Sequence, residues 1–288
     1  MACSRRIEPL GLGHRELLYE KLRGVETPVS EYSFANLFLF RREHKYEVVF
    51  DEDIFISGQT YDGRRYLMPT SDIRELGADY LYGMLEGYDL LYPVPEDMLD
   101  LFPSDKFDLG FREGDTDYVF ETGKLRTYAG RRLHRKRNLL KHFMNDYEHE
   151  ARPLTEELMP DALKVLRTWQ ESSSLERENT DFCACMDGLK HYEELMICGG
   201  IFYAEGRPAG FLIGEERPTE TFVLHFAKGL TEFRGIYQYM FNSFASVLPD
   251  KYRYVNLEQD LELDALRASK SSYQPDLMVR KGRVSRRK

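Results

Sequence analysis

The stretch Gly200-Ile201-Phe202-Tyr203-Ala204-Glu205-Gly206-Arg207-Pro208-Ala209-Gly210-Phe211-Leu212-Ile213-Gly214 holds two apolar β-type runs on either side of a tight turn. The turn has a counterpart in Tyr61-Asp62-Gly63-Arg64, which joins the β-type runs 54–57 and 65–68. Gly206 follows Gly63 by 143 residues in a chain of 288, so the two acid-Gly-Arg turns recur at half the chain length. Each lies in a meander preceded by two helix-like segments, 14–23 and 30–40 in the first half and 155–171 and 181–196 in the second. This shared order predicts duplication of one α/β unit.

Working outward, Ser30 or Ser33 is expected to cap the second helix. The first meander starts at 47–50. It is followed by a helix over 71–86, a strand at 89–93, a helical turn at 95–101 and two strand-like runs within 118–128. The second half opens with a strand at 147–153. After its meander, which includes 221–227, come a helix at 236–247, a strand at 252–257, a helix at 263–271 and a strand at 277–279. The tail 280–288 carries six Arg/Lys and reads as a frayed end.

Composition bounds the class. Hydrophobic residues at 42% and charged residues at 31% describe a chain with real cores, and its length divides most naturally into two domains. No apolar run reaches the ~18 residues of a membrane span, and residues 1–6 are not followed by a signal-peptide apolar region, so a cytoplasmic location is expected. Cys3, Cys183, Cys185 and Cys198 form no CxxC pair. They are expected to be free thiols, with no metal.

The segment Gly130–Phe143 carries six Arg/Lys and no acid, while the other 274 residues sum to about −15 against a chain total of −9. Leu133, Leu140 and Phe143 share a helical stripe that predicts docking, which leaves Arg131, Arg135 and Lys136 for solvent or for a polyanion. A solvated linker helix and an anion clamp at a domain junction are both open readings. The resulting division is an N-terminal domain 1–129, a basic linker helix 130–145 and a C-terminal domain 146–288.

Near the C-terminus, Val255-Asn256-Leu257-Glu258-Gln259-Asp260 alternates, so a strand would place Asn256, Glu258 and Asp260 on one face. Arg267 and Lys270 share a face of the next helix and are positioned to turn toward those carboxylates. A structural ion-pair network and an active site both fit. His225 and Lys228 are expected on opposite faces of their strand, so at most one shares the cleft. No GxSxG, Walker, GxGxxG or HExxH pattern occurs, which argues against serine hydrolase, P-loop, Rossmann and zincin chemistry.

These segments together resemble a bacterial family named for the C-terminal domain of phosphatidylglycerol lysyltransferase. The likeness is carried by 130–138 with Phe143, Gly199-Gly200 with 206–215, 256–260, 266–275, and Ser30-Glu31-Tyr32-Ser33-Phe34-Ala35-Asn36-Leu37-Phe38. Glu262 stands where that pattern usually has Gly. The resemblance implies an α+β fold of two tandem GNAT-like acyltransferase domains, each a mostly antiparallel sheet with flanking helices, related to the Fem-type aminoacyltransferases that draw on aminoacyl-tRNA.

It further implies a transfer of an aminoacyl group to an amine or hydroxyl acceptor. Glu258 is expected to take the proton beside Asn256, with Lys270 or Arg267 holding the oxyanion. Arg131, Arg132, Arg135, Lys136, Arg137 and Asn138 are expected on tRNA phosphates, and Asp260, Tyr273, His225 and Glu215 are further cleft candidates. No cofactor is expected. The acceptor is open, and peripheral membrane contact is compatible with it. Coenzyme A ranks second as donor, because Glu232-Phe233-Arg234-Gly235-Ile236-Tyr237 keeps only the first Gly of a pyrophosphate loop. A non-catalytic binding protein ranks third.

Overall fold

Both acid-Gly-Arg turns join antiparallel strands, and each hairpin lies within a seven-stranded sheet of its own. The computed structural model describes residues 5–287, so Cys3 and Lys288 lie outside it. The strands are β1 (Arg6–Pro9), β2 (Glu47–Phe50), β3 (Ile54–Gln59), β4 (Arg65–Pro69), β5 (Leu90–Pro95), β6 (Phe107–Phe111), β7 (Asp117–Glu121), β8 (His149–Pro153), β9 (Cys198–Ala204), β10 (Arg207–Arg217), β11 (Thr221–Gly229), β12 (Tyr254–Asn256), β13 (Leu277–Val279) and β14 (Lys281–Arg286). The helices are α1 (Arg15–Arg23), α2 (Phe34–Phe40), α3 (Ile73–Leu76), α4 (Ala78–Met84), α5 (Thr122–Thr127), α6 (His134–Asp146), α7 (Met159–Glu171), α8 (Phe182–Lys190), α9 (Ile236–Val247) and α10 (Asp264–Ser271).

One sheet has the order β1-β2-β3-β4-β5-β14-β6 and the other β8-β9-β10-β11-β12-β7-β13. The orders are the same. Five successive strands are followed by one from outside that run, β14 in the first sheet and β7 in the second, then by an edge strand. Each sheet also has a parallel pair at the same place in its order, β4 with β5 and β11 with β12. The pairs are short: β4 and β5 meet at two positions and β11 and β12 at three, after which the strands part and leave a fork. The duplicated α/β unit read from the turns is therefore present.

The chain divides at Asp117 and not at 129/130. One unit runs up to Asp117 and takes in Gln259–Leu266 and the chain from Met278 on, and the other holds Tyr118–Glu258 and Arg267–Leu277. The basic helix is no linker either: Leu133, Leu140 and Phe143 on and just before α6 are buried in the second unit's core beside Phe233, Ile236 and Tyr239. The docking stripe forms as its spacing predicts. The first unit has its own core, including Phe55, Leu67, Leu91, Met98 and Val284.

Local departures have local causes. Ser33, not Ser30, caps α2 by accepting from the Asn36 amide. The helix expected over 71–86 is two, α3 and α4, because Gly77 takes φ +74 between them. Of the runs in 118–128, only β7 is a strand and the rest is α5. The tail is not frayed. It forms β14, paired on both sides, with Lys281 and Arg283 buried against carboxylates, so its charge hid an interior strand. Cys183 is exposed on α8, Cys185 buried there and Cys198 exposed on β9, all as free thiols. Among the described residues no helix is long and apolar enough to cross a membrane.

Candidate functional site

In the second unit, the paired part of β11 and β12 ends at Val223 and Asn256. His225 lies two residues beyond on one strand and Glu258 two residues beyond on the other. His225 is also the extra residue of a β-bulge, since Leu224 pairs with Gly214 and Phe226 with Ile213, and a bulge re-aims a side chain. That bulge breaks the alternation used to place His225 and Lys228: Phe222, Leu224 and then Ala227 pack on one core, so the count of two does not carry across position 225. Lys228 reaches Asp181 at 2.6 Å and lies over Trp169, so it belongs to the packing of α7 and α8.

His225 is held between two carboxylates. Its Nδ1 is 2.8 Å from Glu258 Oε1 and its Nε2 is 3.0 Å from Glu215 Oε1. The imidazole is fully buried, while the side chains of Glu215 and Glu258 keep 9% and 11% of their surface. Burial by itself would lower the imidazole's pKa, but Glu258 and Glu215 outweigh it and raise the value to about 10. At neutral pH the ring is therefore an imidazolium donating from both nitrogens, and the group of three carries one net negative charge.

The backbone at this fork is as specific as the side chains. Glu258 takes φ +58, a left-handed conformation that non-glycine residues adopt only when their surroundings hold them. Those surroundings are present. The Asn256 side chain accepts from the Glu258 amide at 2.7 Å, and the Tyr118 amide donates to the Glu258 carbonyl at 3.1 Å. Lys270 donates to the carbonyls of Leu257 at 2.6 Å and Glu258 at 3.3 Å. Lys270 does turn back toward this strand end, where it donates to these backbone oxygens. Asn256 and Lys270 are thus positioning residues for Glu258, and the alternation expected through 260 stops at Asn256 because the chain turns. Arg267 is half-buried on α10, three residues before Lys270.

Other candidates are elsewhere. Asp260 is buried in the first unit, where it accepts from the Glu262 amide. Glu262, in the family's usual Gly position, keeps a glycine-like φ of +61 and forms a two-pronged pair with Arg112 at 2.8 and 2.5 Å. Tyr273 is part of the second unit's core, its hydroxyl receiving a hydrogen bond from Gln238. On the basic segment Arg131, Arg132 and Arg135 are exposed. Arg137 is committed to the carbonyl of Tyr128 at 2.6 Å, and Asn138 faces His134 at 3.5 Å. Lys136 lies 3.7 Å over the Tyr273 ring, and burial together with Arg135 lowers its pKa to about 8.

The loop 232–237 is packed on one side at Gly235, while Glu232 and Arg234 are exposed. A Cβ placed on Gly235, which has φ +96, would lie 2.3 Å from the Leu139 carbonyl oxygen and 3.1 Å from Phe143 Cβ, so α6 packs directly on the start of α9.

Sequence reasoning missed a second buried cluster, in the first unit. Lys281 Nζ is 2.6 Å from Asp117, 2.7 Å from Glu31 and 2.6 Å from Gln259 Oε1. The signal was present in the alternation of Lys281, Arg283 and Ser285 with Gly282 and Val284, but it points polar groups inward.

Residues 22–281 match the family described as "Phosphatidylglycerol lysyltransferase, C-terminal". Among solved structures, a conserved protein of unknown function from Bacteroides thetaiotaomicron is similar with a TM-score of 0.82 at 23% identity, over 98% of this chain and 99% of that one. The C-terminal domain of a putative lysylphosphatidylglycerol synthetase from Agrobacterium fabrum gives 0.62 at 15% identity, over 92% and 91%. FemX gives 0.55 at 8% identity, over 97% and 96%. At such identities these structures speak for the tandem acyltransferase fold.

Proposed function

Since the chain belongs to the family of phosphatidylglycerol lysyltransferase C-terminal domains, we propose that it is an aminoacyltransferase, moving an aminoacyl group from aminoacyl-tRNA to an amine or hydroxyl acceptor. The acceptor's nitrogen or oxygen attacks the ester carbonyl, its proton passes to Glu258, and the ester bond to the tRNA breaks, the released hydroxyl recovering a proton. His225 holds Glu258 and Glu215 in place from behind. Asn256 and Lys270 fix the backbone from which Glu258 projects. Arg267, Lys270 and backbone donors near this strand end are the candidates for the oxyanion.

The observation that carries the reading is the doubly hydrogen-bonded imidazolium between two partly accessible carboxylates at the fork of the parallel strands. Such an arrangement fixes the orientation of a carboxylate that still reaches solvent, which is what a proton acceptor for an amine requires. Arg131, Arg132 and Arg135 supply exposed charge for tRNA phosphates, whereas Arg137 is engaged in the fold. The loop 232–237, which keeps only the first Gly of a pyrophosphate loop, supports aminoacyl-tRNA over coenzyme A as donor.

The test is Glu258→Gln assayed with a pool of charged tRNAs and cell extract, following labelled amino acid. Turnover per folded molecule should fall by ~10²-fold or more, beyond the stability lost when the buried His225 imidazolium gives up one of its two counter-charges. A clearly destabilised variant that keeps its activity per folded molecule would remove Glu258 from the mechanism. Micromolar binding of acetyl-CoA by calorimetry would move the donor to coenzyme A.

A further inference from the structure

The first unit contains a small enclosed cavity walled by tyrosines. Tyr46, Tyr61, Tyr66 and Tyr92 line it with His44 and Glu31, and the space open to the centre of a water-sized sphere is about 10 Å³. That is room for one water or one ammonium head. The walls are built closely: a Cβ on Gly58 would lie 2.8 Å from the Tyr46 ring and 2.9 Å from the Tyr66 ring, so both rings lean on a backbone that has no side chain. Tyr66 meets Tyr92 edge-on at 5.1 Å and donates to the Tyr46 hydroxyl at 2.8 Å.

Two polar groups in this wall are unmet. His44 ties its Nδ1 to the Gln59 carbonyl at 2.8 Å, and burial lowers its pKa, so the ring is neutral with Nε2 as an acceptor. That nitrogen has no hydrogen-bond partner among the described residues, and neither has the hydroxyl of Tyr92, which is 6% exposed. The charge of the lining is one-sided. It contains the carboxylates of Glu31 and Asp115 and no Lys or Arg. The cations behind it are each faced by two carboxylates, Lys281 by Glu31 and Asp117, and Arg283 by Asp115 and Asp62.

From this geometry we infer that the cavity is a binding site for a primary alkylammonium group. The Tyr66 and Tyr61 rings attract a cation, whereas Tyr92 already lies under Arg283 at 5.4 Å and Tyr46 stacks on His44; the neutral imidazole and the Tyr92 hydroxyl accept the ligand's hydrogens, and the space admits an –NH₃⁺ head but no bulkier one. The alkyl stem leaves past Tyr61, whose ring is 49% exposed and stands edge-on to His44 at 4.8 Å. The site is independent of the fork in the second unit and of the transfer reaction proposed there.

Saturation-transfer NMR on the full chain tests this with n-butylammonium, 1-butanol and tetramethylammonium at constant ionic strength. Butylammonium should bind saturably and at least about tenfold more tightly than 1-butanol, and tetramethylammonium should not compete. Tyr61→Ala and Tyr92→Phe should each weaken butylammonium by roughly threefold or more. Tyr61 is at the surface, so its variant carries the test even if Tyr92→Phe folds poorly. Equal binding of butanol, or unchanged affinity in Tyr61→Ala, would show that the cavity holds only water.

Discussion

The two buried clusters use one electrostatic device in two ways. Each places a single cation between two carboxylates: Lys281 between Glu31 and Asp117 in the first unit, His225 between Glu215 and Glu258 in the second. Both groups of three carry a formal charge of −1. They differ in the cation and in access. Lys281, Glu31 and Asp117 are all but inaccessible, and the lysine's pKa stays above its ordinary value because its carboxylates outweigh the cost of burial. His225 titrates within reach of solution pH, and its carboxylates touch solvent. Burial pushes the Glu31 carboxyl up to about 7, so the first cluster titrates as well, and what sets the second apart is that its carboxylates reach solvent.

The largest effect expected from this contrast is on stability. Lys281→Met strands Glu31 and Asp117 without a counter-charge and should cost about 3 to 5 kcal/mol in urea unfolding. A variant as stable as the parent would mean that the first cluster is not structural. The second effect is on pH dependence. His225 has a folded pKa of about 10, above the unfolded value of about 6.5. Its contribution is therefore complete below about pH 6.5 and is lost as pH rises through about 10. Unfolding free energies of the parent and of His225→Gln should converge between pH 7 and 10, and parallel curves would contradict the imidazolium.

Smaller effects sharpen the comparison at its edges. Glu262→Ala removes the Arg112 pair while keeping a residue at φ +61, and should cost about 1 kcal/mol, whereas Glu262→Gly relieves the left-handed backbone and should be the more stable of the two. Chemical denaturation of both decides it. Least of all, Arg135→Ala should lower the salt slope of tRNA binding by about one unit without loss of stability. Arg137→Ala should lower stability instead, through its lost hydrogen bond to Tyr128.

What could be read in the sequence follows from what was local. The hairpins at Gly63 and Gly206, α9 and the docking stripe of Leu133, Leu140 and Phe143 each announce themselves within a dozen residues. The repeat was legible for the same reason. β14 was not: Gly282 and Val284 face the apolar core, but the opposite face carries Lys281 and Arg283, buried charges that only distant carboxylates make tolerable, so the strand reads as a charged tail. The site was legible in part. Glu258 was singled out and Glu215 and His225 were among the further candidates, but the bulge that turns His225 between them depends on the register of β10 against β11, and the left-handed turn at Glu258 ends the alternation expected through Asp260.

The strand order also fixes when this protein can finish folding. On the ribosome, residues up to Phe111 emerge early, yet the place between β5 and β6 stays vacant until Lys281–Arg286 are made, 170 positions after Phe111. Through most of synthesis the nascent chain therefore exposes two raw strand borders, the kind of surface that holdase chaperones bind and that pairs wrongly with neighbours. A product cut before Lys281 would keep both of these borders open and be an aggregation hazard.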